Sequence, residues 1–295
     1  MVAVSRRIWK SGDRDLLAIG RPLVMGVLNV TPDSFSGGID TQSTTLAINH
    51  ALELVEQGAD IIDIGGESTR PGATPVTADE ECRRVIPVIR ALVRETNIPV
   101  SIDTMKASVA WQACDMGASI INDVSALADP DMASVALRAH AAVVLMHMRG
   151  TPANMQENPE YVDVTAEVMA HLAERVARAM DAGIEAARLC LDPGIGFGKT
   201  LEHNLTLMRQ LGHLRQLNLP ILLGVSRKSF LGHITGRPVA ERLAATLAAQ
   251  AVALVRGNAD IIRAHDVREA VDLVRVVTAL ADNPDGREDA CSTGG

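Results

Sequence analysis

Pro99-Val-Ser-Ile-Asp103, then a helix-patterned run over Lys106–Met116, then Ser119-Ile-Ile-Asn-Asp-Val124 is one period of the pattern that decides the fold. Both apolar runs are continuous rather than alternating, as strands buried on two faces require, and both end abruptly on a carboxylate or amide. Working outward, similar runs stand at Leu23–Val30, Ala59–Gly65, Ala142–His147, Leu189–Asp192, Pro220–Ser226 and Ile261–Ala264, which makes eight. Helical patterns fill the intervals at Thr45–Gln57, Ala78–Thr96, Pro130–Ala139, Leu201–Leu211, Ala240–Arg256 and Val267–Ala281. The clearest lies between the fifth and sixth strands. There Val164, Val168, Leu172, Val176 and Met180 recur every fourth residue, Glu167, Glu174, Arg175 and Arg178 form the exposed face, and Gly183 supplies a stop. Eight β-then-α units of roughly 30 residues each predict a single (β/α)8 TIM barrel. An open doubly wound sheet is the competing architecture, but no G-x-G-x-x-G follows the first strand.

The 295 residues allow about two domains as a prior, yet no linker divides them. Residues 1–20 read as a preamble, a hairpin across the barrel bottom, residues 21–282 as the barrel, and residues 283–295 as a polar, disordered tail. Lys and Arg number 28 against 36 Asp and Glu, a formal charge of −8, and there are only 3 Phe, 2 Trp and 1 Tyr. An acidic chain poor in stacking rings is a poor nucleic-acid binder. At 47% apolar residues the chain can bury a full core. No run approaches the ~18 apolar residues of a membrane span, and Met1–Lys10 has no apolar core of a signal peptide. Cys82, Cys114, Cys190 and Cys291 show no metal or redox spacing. They read as reduced thiols of a cytoplasmic protein, three in the core and one in the tail.

A barrel carries its site at the C-terminal ends of its strands. In order those ends supply Asn29, Asp63, Asp103, Asn122 with Asp123, His147, Asp192, Ser226 with Lys228 just beyond, and Arg263 with His265. Asp103, Asn122 and Asp192 converge as acceptors, suited to a heterocycle with an N–H/NH2 edge. Lys228, Arg263 and His265 lie beside the first strand, where barrels commonly hold phosphate. Asn29 can offer its amide oxygen to Mg²⁺, with phosphate oxygens and water completing the shell. Plainer roles compete: Asp63 as a loop cap, His147 as a satisfied core histidine, Asp123 bound to backbone. No histidine pair has zinc spacing. Pro193-Gly-Ile-Gly-Phe-Gly-Lys-Thr200 ends like a nucleotide-binding loop, but Pro193 stands where the first Gly belongs, so it reads as a Gly-rich turn with Phe197 reaching over the ligand. Two long connections, Thr31–Thr44 and Gly66–Thr77, read as functional loops.

These segments together resemble the dihydropteroate synthases, pterin-binding barrels of folate biosynthesis. The matching stretches are Met25-Gly-Val-Leu-Asn-Val-Thr-Pro-Asp-Ser-Phe-Ser36, Ile62-Asp-Ile-Gly-Gly-Glu-Ser-Thr-Arg-Pro-Gly72, Ser101-Ile-Asp-Thr104, Ile121-Asn-Asp123, Leu145-Met-His-Met148, Leu191-Asp-Pro-Gly-Ile-Gly-Phe-Gly198, Ser226-Arg-Lys-Ser229 and Ile262-Arg-Ala-His-Asp-Val267, in family order over about residues 23–282. The resemblance implies condensation of dihydropterin-methyl diphosphate with p-aminobenzoate, by an SN1-like transfer that releases pyrophosphate. It implies pterin contacts from Asp103, Asn122, Asp192 and Lys228, further substrate contacts from Phe197 and Ser226, and diphosphate and Mg²⁺ contacts from Asn29, Arg263 and His265. Thr69 and Arg70 would meet the diphosphate or the p-aminobenzoate carboxylate, and Asp33, Phe35 and Pro71 would close over the second substrate. The catalytic set is then Asp103, Lys228, Arg263, Asp33 and Phe35. A homodimer and sulfonamide sensitivity are also implied. One departure stands in the first loop, where the family's Ser-Asp-Gly-Gly reads Ser36-Gly37-Gly38-Ile39. Two alternatives remain open: a pterin-binding homologue without turnover, and a folate-binding methyltransferase barrel.

Overall fold

The structure is a computed structural model, described over residues 7–31, 41–70 and 72–281. A two-residue hairpin, β1 (Lys10–Ser11) and β2 (Arg14–Asp15), precedes eight parallel strands. These are β3 (Leu23–Asn29), β4 (Ile61–Gly65), β5 (Val100–Asp103), β6 (Ile120–Asp123), β7 (Ala142–Met146), β8 (Leu189–Asp192), β9 (Leu222–Gly224) and β10 (Ile261–Ala264). Their order is β8-β7-β6-β5-β4-β3-β10-β9. The seam between β8 and β9 is closed by the Leu191–Ile221 bridge and by Leu191 N–H donating to Pro220 O at 2.8 Å. All eight predicted strands are present, with ends shifted by at most two residues.

The helices are α1 (Thr41–Glu56), α2 (Ala78–Glu95), α3 (Ala107–Asp115), α4 (Met132–Arg138), α5 (Val164–Asp181), α6 (Leu201–Arg209), α7 (Ser229–Thr235), α8 (Leu243–Val255) and α9 (Val267–Leu280). Helix α7 was not predicted. It is short, follows β9 closely, and buries only Phe230, Leu231 and Gly232. Helix α5 corrects the expected stripe. Val164, Val168 and Leu172 are buried, but Val176 is half-buried and Met180 is 50% exposed, while Ala179 takes the inward position. Four residues turn a helix by ~400°, so a strict four-residue spacing drifts by ~40° a step and ~160° by Met180.

Two cores explain the continuous apolar runs. Outward-facing strand residues such as Val24, Ile62, Ile64, Ile102, Ile121 and Leu191 pack beneath the helices. Inward-facing Leu23, Met25, Ile61, Ile120, Val144, Cys190, Leu222 and Ile261 fill the barrel. Trp9, Leu16 and Leu17 join this inner core from the preamble. Trp9 is fully buried, and its Nε1 donates to Arg188 O at 3.1 Å. Ser11 Oγ donates to Ser119 O and Gly12 N–H to His140 O, so the hairpin sits on the N-terminal end of the barrel. Cys82 and Cys190 are buried, whereas Cys114 is only half-buried against the outer core, and Cys291 lies outside the described residues. Among the described residues no helix is long and apolar enough to cross a membrane.

Candidate active site

The alternation of each strand decides which polar residues enter the barrel. In β4, Ile62 and Ile64 face the helices, so Asp63 shares the inner face with Ile61. The same parity turns Asp103, Asn122, Asp192 and Arg263 inward and Asp123 outward. Register then levels them: Asp103 pairs with Asn122, and Arg263 with Gly224. Gly224 leaves the space open, since a Cβ there would lie 3.9 Å from both Asp192 Oδ2 and Lys228 Nζ and 4.0 Å from Arg263 Cβ.

Arg263 is the hub. Its Nε donates to Asp63 Oδ2 at 2.6 Å and its Nη2 to Asp103 Oδ2 at 2.7 Å. Asn122 Nδ2 donates to the same Asp63 oxygen at 3.0 Å. Asp63 is therefore no loop cap, as one sequence reading had it; it ties two mouth residues together. The second oxygens of Asp63 and Asp103 are buried and have no partner among the described residues. Buried acceptors left open in this way are places for a ligand's N–H groups. Burial pushes the Asp103 carboxyl up to about 7, against the pull of Arg263 and with added repulsion from Asp63. Both carboxylates hold Arg263 firmly protonated against its own burial.

Asp192 Oδ1 accepts Gly194 N–H at 2.7 Å, and burial raises its carboxyl despite nearby Lys228. Lys228 donates to Ile195 O, and its ammonium lies 4.6 Å from the Phe197 ring centre. Burial lowers it to about 8, with Asp192 opposing and Arg263 assisting. Phe197 and Lys228 thus reach the mouth together. Ser226 Oγ accepts His265 N–H at 3.2 Å and lies 3.0 Å from His265 Nδ1. The His265 imidazole is lowered, first by its desolvated surroundings and then by Arg263, with Arg70 among the contributing cations. Arg70 is exposed and Thr69 half-buried on the second loop. Asn29 is half-buried at the end of β3, and a Cβ on Gly65 would meet Asn29 Oδ1 at 3.9 Å and Asp103 Oδ2 at 3.7 Å. Asp33, Phe35, Pro71 and the Gly37–Ile39 departure lie outside the described residues.

The residues given plainer roles are also explained. Asp123 accepts from Ser125 N–H, Ser125 Oγ and Leu127 N–H, and so shapes its own turn. His147 is buried and its Nδ1 lies 2.9 Å from Lys199 Nζ. Lys199, the lysine of the nucleotide-loop lookalike, also donates to Gly194 O and Phe197 O. With its amine engaged inside the turn, and burial pushing its pKa well down, it has nothing to offer a triphosphate. Sequence reasoning missed Lys199 as the pin of the turn that carries Phe197. It also missed Arg227, which is held at φ +56° and pairs with Asp266 through Nε at 2.9 Å and Nη2 at 2.5 Å. Among the described residues no cluster of His, Cys, Asp and Glu is set to hold a metal. A hard cation here would need oxygen ligands from its substrate as well as from Asn29.

A parallel barrel whose mouth joins open buried carboxylates to a cationic rim defines a pterin-binding enzyme, and the family model described as "Pterin binding enzyme" matches residues 25–265. The dihydropteroate synthase of Escherichia coli is 47% identical over 263 residues, covering 89% of this chain and 93% of the relative. The Xanthomonas albilineans dihydropteroate synthase with 4-aminobenzoic acid superposes with a TM-score of 0.87 at 45% identity, over 95% of this chain and 100% of that one. The Yersinia pestis dihydropteroate synthase with a sulfonamide drug gives 0.86 at 41% identity, over 92% and 98%. The chain belongs to the dihydropteroate synthase family of transferases.

Proposed function

We propose that this chain condenses (7,8-dihydropterin-6-yl)methyl diphosphate with p-aminobenzoate, giving 7,8-dihydropteroate and pyrophosphate. The observation that carries the reading is the pair of buried, unpartnered carboxylate oxygens on Asp63 and Asp103 beside protonated Arg263. A pterin's amide and amino N–H groups would satisfy carboxylate acceptors, with Asp103, Asn122 and Asp192 reading the ring edge and Phe197 and Lys228 flanking it.

In the step itself the methylene C–O bond breaks first. The diphosphate leaves with the electron pair, and the pterin ring delocalises the positive charge on its methylene. Ionised Asp103 supports that charge, while Arg263, His265, Ser226 and the second-loop Thr69 and Arg70 receive the leaving group. The neutral aniline nitrogen of p-aminobenzoate then forms the C–N bond and loses one proton to solvent or to the departing diphosphate. Such an amine needs orientation more than a strong base. Asn29 fits Mg²⁺ as a single oxygen ligand at the rim, and the metal when bound would neutralise charge on the diphosphate. Asp33, Phe35 and Pro71 are assigned to closure over p-aminobenzoate on the strength of the family resemblance.

A homodimer is part of this proposal. Val252, Val255, Val276 and Leu280 on α8 and α9 are all about half exposed or more, which suits an apolar contact with a second copy. Sulfonamide sensitivity and a cytoplasmic setting belong to the same reading. The test is pyrophosphate release from dihydropterin-methyl diphosphate and Mg²⁺, with and without p-aminobenzoate. Release that depends on p-aminobenzoate and yields dihydropteroate supports the proposal. Pterin binding without product would favour a non-catalytic homologue, and pterin binding indifferent to diphosphate would favour a folate-binding methyltransferase.

A further inference from the structure

The root of the second loop is held by a trio outside the substrate contacts assigned above. Lys106, just before α3, donates to Glu67 Oε2 and to Glu81 Oε2, each at 2.7 Å. Glu81 comes from α2 and is fully buried. Glu67 opens the loop, and its other oxygen accepts Val76 N–H at 2.9 Å near the loop's far end. One carboxylate therefore grips both ends of the segment that carries Thr69 and Arg70. Arg84 of α2 adds a bond from Nη1 to Gly66 O at 2.8 Å. Gly66 itself is pressed on α2, where a Cβ would meet Val85 Cγ1 at 2.8 Å.

Among the described residues the loop has few other tethers. Beneath it lies a cavity of about 500 Å³ bordered by Glu67, Lys106, Met146, Met148, Pro152 and Arg175. Across that space the loop makes a backbone bond from Gly72 N–H to Pro152 O at 3.2 Å. A surface loop that borders an open cleft on one side takes more of its shape from its anchors than from packing. Glu81 is fully buried and Glu67 nearly so, and the cost of desolvating two carboxylates offsets much of their attraction to the shared ammonium, so the trio is weak evidence of stability for its own sake.

We propose that Lys106 and Glu67 are positioning residues that clamp the second loop, so that Thr69 and Arg70 are presented to the diphosphate and p-aminobenzoate end of the site. What Arg70 meets rests on the proposed function; the clamp does not. Lys106→Met removes the shared ammonium. Glu67→Gln weakens the grip and leaves the buried Lys106–Glu81 pair intact, so it decides the matter if Lys106→Met fails to fold. In either variant, hydrogen–deuterium exchange over residues 67–77 should accelerate and pyrophosphate affinity should fall about tenfold or more, as loss of a charge-assisted bond implies. The KM for p-aminobenzoate should rise similarly, while affinity for 6-hydroxymethyl-7,8-dihydropterin, which lacks the diphosphate, stays within about twofold. Lys106→Arg should restore most of the loss. Unchanged exchange in folded variants, or a fall in pterin affinity equal to that for pyrophosphate, would overturn the clamp. A wild-type protein that binds pterin but releases no pyrophosphate refutes the functional reading alone, since exchange still reports on the clamp.

Discussion

Asp63→Asn tests the arrangement at the mouth most directly, because the substitution keeps shape and removes one charge. The wild-type carboxylate is fully buried and accepts Arg263 Nε at 2.6 Å and Asn122 Nδ2 at 3.0 Å through one oxygen. A hydrogen bond to a charged group is worth ~1.5–3 kcal/mol, and the Asn amide oxygen can retain one neutral bond, so a net loss of about 2 kcal/mol follows. For a chain of 295 residues, at about 2.1 cal/mol/K of unfolding entropy per residue, that is a fall in Tm of roughly 3 °C. The signature of the network is electrostatic. Asp63 raises the Asp103 carboxyl, and Arg263 lowers it. Removing the Asp63 charge ends one repulsion and leaves Arg263 paired to Asp103 alone, so the Asp103 midpoint must move acidward from about 7. Ionised Asp103 accepts a pterin N–H far more strongly than the acid, which spends one oxygen as a donor, so wild-type affinity should weaken by up to about tenfold per pH unit well below that midpoint. Calorimetric titration with 6-hydroxymethyl-7,8-dihydropterin from pH 5 to 9 reads this, and comparing the two proteins cancels the ligand's own titration. The stability sign is opposite. The raised carboxyl carries an extra proton in the folded state between its ordinary value of 3.8 and about 7, so wild-type stability falls as pH rises through that window. The Asn variant should lose part of that slope. A midpoint that stays fixed or moves upward would refute the coupling of Asp63, Arg263 and Asp103.

Three further outcomes follow from the same structure. Leu172→Ala, at a fully buried site in α5, should cost ~2–5 kcal/mol by denaturant melts, while Met180→Ala, 50% exposed, should stay within ~0.5 kcal/mol. Gly194→Ala places a Cβ 1.8 Å from His147 O at φ +64°, so the turn carrying Phe197 must shift; pterin affinity should collapse while the far-UV circular dichroism spectrum is retained. Chelation of Mg²⁺ should abolish pyrophosphate release, and Asn29→Ala should raise the Mg²⁺ concentration for half-activity by about tenfold or more, measured by metal titration.

The barrel was legible because strands buried on both faces leave an unmistakable trace, and the polar residue ending each run marked the mouth. Asp63 was legible too, had parity been applied: Ile61 and Asp63 share a face, so a carboxylate there enters the barrel. Helix α7 escaped because seven residues with three large apolar side chains, of which Ile234 faces out, give too short a period. The α5 stripe misled by one face because a four-residue spacing is not the 3.6-residue turn. Lys106 reads as an ordinary charge at a helix start, and its two carboxylate partners lie 39 and 25 residues away. The Arg227–Asp266 pair spans 39 residues. Such partnerships leave no local signal, since they exist only once the barrel has brought its loops to one rim.

The hairpin with Trp9 has a consequence for the order of assembly. Its partners Ser119 and Arg188 lie 108 and 179 residues downstream. The segment is translated before its seat, which does not exist until β6 to β8 have been made and have curled toward one another. Contacts of such long range close large loops and form late. Until then an indole, two leucines and the unfinished barrel floor are all bare to water. A nascent chain of this protein therefore holds these apolar groups open until β8 has been made, and seating the stopper is the event that ends that exposure.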